Sequence, residues 1–251
     1  MKFACIASDS AQANLSREQL SANYEFVDPS DADVILALGG DGLMLHALHT
    51  FLGLGKPIYG LNCGTVGFLM NQLNDEELVA RVMKAEETSV YPLEMCATTA
   101  SGEIHTMLAF NEVSVIRYSH QTANLRLAIN GIERISNLMC DGILVSTPMG
   151  STAYNLSAHG PIIPLGSNVL ALTPVSPFRP RRWNGALLPC SSTVELTNLD
   201  PDKRPLGASC DFHEVREVVS LTVREDRSRP FSILFDPGHS LEERIFSEQF
   251  A

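Results

Sequence analysis

The apolar positions of this chain change their period part-way along it. Over residues 1 to about 90, short continuous apolar runs alternate with helical patterns. Lys2–Ala7 and Pro57–Leu61 predict short strands, and the nearly unbroken apolar run Asp33–Leu38 predicts a strand buried on both faces. Ser16–Asn23 predicts a helix capped by Ser16, with Gln19 three positions on. Leu43–Leu52, apolar on nearly every side, predicts a buried helix. Asn74–Glu87 predicts an amphipathic helix with Asn74 as N-cap and Glu77 in the capping-box position. This alternation argues for a parallel sheet covered by helices.

Past Tyr91-Pro92 the period falls to two. Leu125, Leu127 and Ile129 alternate with polar neighbours and run into Asn130-Gly131, a strong hairpin signal, before Ile132–Ile135. Glu112–Arg117, Gly142–Thr147, Thr193–Thr197, Val218–Arg224 and Phe231–Phe235 predict further strands. The expected class is an α/β N-terminal domain over residues 1–90, then a mostly antiparallel β domain over residues 91–235. Residues 236–251 hold a last short helix, about Leu241–Phe250, expected to pack back on the first domain.

Composition narrows the class. Hydrophobic residues make up 45% and charged residues 19% of 251 positions, which excludes wholesale disorder. Eighteen Lys and Arg against 29 Asp and Glu leave a net charge of −11, which disfavours nucleic acid as a partner. The one basic cluster is Arg179, Arg181 and Arg182; it reads either as a solvated loop or subunit contact, or as a local phosphate clamp. The six cysteines contain no CxxC pair, so no zinc knuckle or redox motif is present. No apolar run approaches the roughly 18 residues of a membrane span, and the first residues carry no long apolar signal region. These features predict a cytoplasmic protein with reduced, mostly buried thiols and no membrane partner.

Several stretches could carry chemistry. Gly39-Gly40-Asp41-Gly42 stands at the carboxyl end of a predicted buried strand and just before a helix, where open α/β sheets bind ligands. Glycines let the backbone approach a ligand closely, and the helix N-terminus offers N–H groups to phosphate. A carboxylate beside a phosphate site makes sense if it takes a proton from an attacking hydroxyl or engages Mg²⁺. The bland reading is a tight turn with a capping Asp. Asn62 and Phe68 bracket a second glycine-bearing strand-end loop and could face the same crevice. Asn111-Glu112 pairs an amide with a carboxylate, donors and acceptors together, as a grip on vicinal hydroxyls requires. The densest run, Asp141 to Ser157, leaves a strand for a loop of small and hydroxyl residues around Tyr154. There is no P-loop, no GxGxxG, no GxSxG elbow and no metal-ligand spacing.

The order GGDG, NCGTVGFL, NE, DGILVSTPMGSTAYNLSAHGP closely resembles the NAD kinases over almost the whole chain, in their compact bacterial form. GGDG alone is shared with phosphofructokinases and lipid kinases; the long run after NE is far more specific. The resemblance implies an enzyme that transfers the γ-phosphoryl group of ATP to the 2′-hydroxyl of the adenosine ribose of NAD. It implies Asp41 as proton acceptor, Gly39 and Gly40 in the phosphate loop, and Gly42 along the NAD site. It implies Asn111 and Glu112 on the ribose and adenine, His46 near phosphate, and Asp141 reaching the dinucleotide. Thr152, Ala153, Tyr154 and Ser157, with Asn155 and Leu156 of the same run, look like the nicotinamide-side wall, and Ser176 like part of the adenine pocket. It further implies Mg²⁺ or another divalent cation with ATP, polyphosphate as an alternative donor, and a homodimer or homotetramer. Leu43, Met139 and Met149 depart from the family pattern, and so does Asp211-Phe212-His213, which replaces the more usual Asp-Gly-Gln; His213 joins Asn62 and Phe68 as a candidate contact. A lipid or sugar kinase sharing GGDG, and a dinucleotide sensor without turnover, are the competing classes.

Overall fold

A computed structural model of the chain describes residues 1–64, 67–74, 77–181 and 183–238. The chain divides into two units, Met1–Val90 with the segment from Arg229 onward, and Tyr91–Ser228. The first unit runs β1 (Phe3–Ala7), α1 (Ala11–Ser21), β2 (Val34–Gly39), α2 (Asp41–Phe51), β3 (Ile58–Asn62), β4 (Asn71–Gln72), α3 (Leu78–Lys84) and β5 (Glu86–Val90). The second runs β6 (Leu93–Thr99), β7 (Ile104–Ala109), β8 (Glu112–Arg117), β9 (Ala123–Ile129), β10 (Ile132–Cys140), β11 (Gly142–Ser146), a 3₁₀ turn (Met149–Thr152) and α4 (Tyr154–Ser157). It continues through β12 (Val169–Val175), β13 (Ala186–Pro189), β14 (Val194–Asn198), β15 (Leu206–Cys210), β16 (His213–Val215) and β17 (Val218–Glu225); a last strand, β18 (Phe231–Phe235), follows.

In the first unit the sheet order is β1-β2-β3-β18-β5, with β4 also on β3. β1, β2, β3 and β18 are parallel, and β5 closes the edge antiparallel to β18. All six residues of β2 are buried, as a central parallel strand with both faces covered demands. β18 enters this sheet, whereas the period-two pattern assigned Phe231–Phe235 to the β-rich domain. An apolar pentapeptide fits either sheet, and its neighbours decide. Asn71 receives the N–H of Asp236 and donates to the carbonyl of Leu234, while Tyr59 and Arg81 both bond the Asp236 carboxylate.

Two helix starts differ from the expected ones. α1 begins at Ala11 under Ser10, whose hydroxyl accepts the Ala13 N–H at 3.2 Å; Ser16 lies mid-helix and donates back to the carbonyl of Gln12. α3 begins at Leu78 with Glu77 in the cap position. Asn74 is no N-cap there; its side-chain oxygen takes the Arg81 guanidinium at 2.7 Å. The stretch Glu86–Val90, read partly as the end of that helix, is a strand because it pairs along β18. The C-terminal helix expected near Leu241–Phe250 lies outside the described residues.

The second unit is two six-stranded antiparallel sheets, β10-β9-β14-β17-β6-β7 and β13-β12-β11-β8-β15-β16. Inward side chains of both, among them Leu93, Met95, Val113, Val115, Ile143, Leu196 and Val223, form one apolar core. Asn130 and Gly131, with φ of 54° and 74°, make the two-residue turn between β9 and β10 that their sequence announces. Cys140 and Cys210 are buried, while the other four thiols are partly exposed, fewer buried than expected.

Candidate active site

Asp41 is the first residue of α2, and β2 delivers it to the carboxyl edge of the parallel sheet. Gly40 occupies the N-cap in extended conformation and provides no side-chain cap. The Asp41 carboxylate turns to the loop after β3. Its Oδ2 accepts the N–H of Phe68 at 2.8 Å and its Oδ1 the N–H of Leu69 at 2.9 Å. These two N–H groups fix the plane of the carboxylate. Asn62 pairs with Gly39 across β3 and β2, and its side-chain oxygen accepts the Gly64 N–H at 2.9 Å. The structure therefore gathers Gly39, Gly40, Asp41, Asn62 and Phe68 at one sheet edge. Gly42 and His46 are exposed on the same helix.

In the second unit Glu112 begins β8, with Asn111 immediately before it. Two segments fix them, the loop at Asp211 and the turn from Thr147 to Gly150. The Asp211 carboxylate accepts the N–H groups of Phe110 at 2.7 Å, Asn111 at 3.0 Å and Glu112 at 3.3 Å. The Thr147 hydroxyl donates to the carbonyl of Phe110 at 2.6 Å and receives the Gly150 N–H at 3.0 Å. Gly150 lies flat on the Asn111 peptide: a Cβ there would stand 2.1 Å from the Asn111 carbonyl oxygen. The Glu112 side chain is left with Oε2 buried and without a hydrogen-bond partner. Burial, with the negative charge of Asp211 beside it, pushes its carboxyl up from 4.5 to about 7.

The hydroxyl-rich run is divided by burial. Tyr154, Leu156 and Ser157 are exposed, and Thr152 and Ala153 are half-buried. Asn155 is wholly buried and acts as a strut: its amide donates to the carbonyls of Ser151 and Pro161, and its oxygen accepts from Thr173 at 2.7 Å. Asp141 and Ser176 fall elsewhere. β8 pairs antiparallel with β11, so Asp141 stands near Arg117, five residues from Glu112 and roughly 17 Å along the strand. There Arg117 Nε donates to Asp141 Oδ1 at 2.5 Å, and the Asp141 N–H bonds Val175, next to Ser176. His213 starts β16 two residues after Asp211, exposed, its ring 4.6 Å from that of Phe212.

Sequence reasoning missed Asp211 and Thr147 as parts of this site. Both act on a peptide stretch far away in the chain, and no local pattern marks such a contact. Among the described residues no group of three or more His, Cys, Asp and Glu is placed to hold a metal, and no helix is long and apolar enough to cross a membrane.

Known proteins resemble both units. Residues 1–89 match the model of the ATP-NAD kinase N-terminal domain, and residues 110–213 that of the ATP-NAD kinase C-terminal domain. An NAD kinase of Xylella fastidiosa (strain Temecula1) is 51% identical over 250 residues, covering 100% of this chain and 96% of the relative. One of Rhizobium meliloti (strain 1021) is 52% identical over 249 residues, covering 99% and 97%. Among solved structures, an NAD kinase from Archaeoglobus fulgidus in complex with ATP superposes with a TM-score of 0.77 at 23% identity, over 98% of each chain. The yeast NADH kinase complexed with NADH gives 0.74 at 22% identity, over 90% of this chain and 73% of the other.

Proposed function

The chain belongs to the NAD kinase family and converts NAD to NADP with ATP as phosphoryl donor, and within that reaction we propose that Asp41 is the proton acceptor. The observation that carries this role is a carboxylate at a helix N-terminus, on the carboxyl edge of a parallel sheet, aimed by two backbone N–H groups. The 2′-oxygen of the adenosine ribose forms its bond to the γ-phosphorus as the bond from that phosphorus to the bridging oxygen breaks. ADP leaves with the bonding electrons, and the hydroxyl proton passes to Asp41 and then to solvent. Asp41 would contribute most by orientation: the Phe68 and Leu69 N–H groups fix its plane, and phosphoryl transfer depends chiefly on alignment and charge stabilisation. The first turn of α2, entered through Gly39 and Gly40, presents backbone N–H groups suited to phosphate oxygens. His46, one turn on, adds a basic side chain near them.

Asn111 and Glu112 are assigned to the ribose and adenine, because the buried Glu112 Oε2 lacks a partner that a ribose hydroxyl would supply. Thr152, Ala153, Tyr154, Leu156 and Ser157 are assigned to the dinucleotide wall, with Asn155 holding that wall in place from inside. Asp141, tied to Arg117, and Ser176 are assigned to a nucleotide contact at the other end of β8. A divalent cation would come with ATP as part of the substrate and would supply charge neutralisation for the transferred group. Polyphosphate as donor, a homodimer or homotetramer, and a cytoplasmic location complete the reading.

Incubation with Mg-ATP and NAD, followed by an NADP-specific dehydrogenase, tests the activity. NADP formation is expected; stoichiometric NAD binding without product would favour a sensor, and turnover of sphingosine, diacylglycerol or fructose 6-phosphate a different kinase.

A further inference from the structure

Glu112 and Asp211 are two carboxylates held side by side at the start of β8, and they are used in opposite ways. Asp211 is filled: it accepts three consecutive N–H groups, and its own N–H returns to the carbonyl of Glu112 at 3.2 Å. Glu112 is empty at Oε2. To make this closure, Asp211 takes a φ of 52°, a left-handed conformation that Asp and Asn tolerate better than other side chains. We propose that Asp211 is a positioning residue for the dinucleotide, fixing through the Phe110–Glu112 backbone the edge on which the Asn111 and Glu112 side chains meet the ligand. This rests on the assignment of Asn111 and Glu112 to the ribose and adenine.

The pair also makes ligand binding depend on pH. The other groups near Glu112 come from the end of β11 and the residue after it, uncharged Ser146 and Thr147, and from the β15–β16 hairpin, which offers Cys210, Asp211 and His213. The Cys210 thiol is pushed up to about 12 by burial and by Asp211, so it stays neutral. His213 is exposed at the strand end. The negative charge of Asp211 is therefore the main electrostatic influence on Glu112, added to burial. A ligand hydroxyl that donates to Glu112 Oε2 favours the ionised carboxyl. Binding should release a proton near neutral pH, and the KM for NAD should fall as pH rises through about 7.

Asp211→Asn tests this. It suits the backbone conformation, removes the charge and turns one acceptor into an NH₂ group facing N–H donors. At pH 8 the KM for NAD should rise about tenfold, the size expected for losing hydrogen bonds to a charged acceptor, with kcat and the KM for ATP within about twofold. The inflection in KM against pH should move to lower pH, because Glu112 loses a neighbouring negative charge. Glu112→Gln should abolish the inflection and the proton release seen by calorimetry in buffers of different ionisation enthalpy. If Asp211→Asn does not fold, Asp211→Gly, also compatible with positive φ, takes its place. An unmoved inflection with unchanged KM overturns the proposal, as does a KM raised equally at every pH, the mark of a merely structural role. Failure of the unaltered protein to make NADP would overturn the functional reading instead.

Discussion

The carboxylate of Asp41 accepts the backbone N–H of Phe68 at 2.8 Å, across 27 positions of sequence. A strand-end acid is thereby locked to the following strand's loop before any ligand arrives. The residue has two jobs, aiming itself and holding the loop.

Asp41→Asn separates those jobs. Its kcat should fall at least about 10²-fold, the usual scale for a general base. The amide NH₂ would also face the N–H of Phe68 or Leu69, at a cost of about 1 kcal/mol in stability. Initial rates and thermal melts read the two effects, while NAD binding by titration should persist. A kcat within tenfold of the unaltered enzyme would reject the catalytic role.

Gly150→Ala drives a Cβ to 2.1 Å from a backbone oxygen of Asn111, where no flexible side chain can yield. The expected result is a loss of about 2 kcal/mol or more in urea denaturation, with a raised KM for NAD in whatever remains folded. Unchanged stability would mean that the 147–150 turn is not seated on Asn111.

Glu112 links stability to pH. Its folded carboxyl is raised to about 7 from 4.5, so between these values the folded protein holds a proton that the unfolded chain has released. Stability contributed at this site is present at low pH and is lost as pH rises through about 7. Glu112→Gln carries no such proton. The stability difference, variant minus unaltered, should therefore grow by about 3 kcal/mol between pH 4.5 and 8 in urea titrations without ligand. A constant difference would show that the carboxyl titrates normally.

Arg81 and Asp236 are 6% and 13% exposed, with their charged atoms 2.5 Å apart. Asp236→Ala leaves a guanidinium buried without its carboxylate and should cost about 3 kcal/mol. Arg81→Met combined with Asp236→Leu should recover part of that loss, because two apolar side chains remove the buried charge altogether. Equilibrium unfolding of the single and double variants decides; additive losses would sink the account.

Local sequence carried much of this protein. β2, β3, β8 and the Asn130-Gly131 hairpin were legible, because burial on both faces, period-two alternation and a positive-φ turn each leave a short-range mark. GGDG and the NE pair stood out as candidates for the same reason: their residue types narrow the chemistry they are proposed to perform. The helix caps were less so. Ser10 and Ser16 are equally good capping residues, and only packing chose between them.

Sequence alone determined that the chain has a parallel α/β part and an antiparallel β part, and which stretches are candidates for phosphate and ribose chemistry. Tertiary structure decided where β18 belongs, because an apolar strand satisfies any sheet until Asn71, Tyr59 and Arg81 claim the residues at its end. It also decided that Asp211 and Thr147 frame Asn111 and Glu112, and that Asp141 stands at the opposite end of β8. Those relations join residues many positions apart, through hydrogen bonds whose partners no local periodicity records.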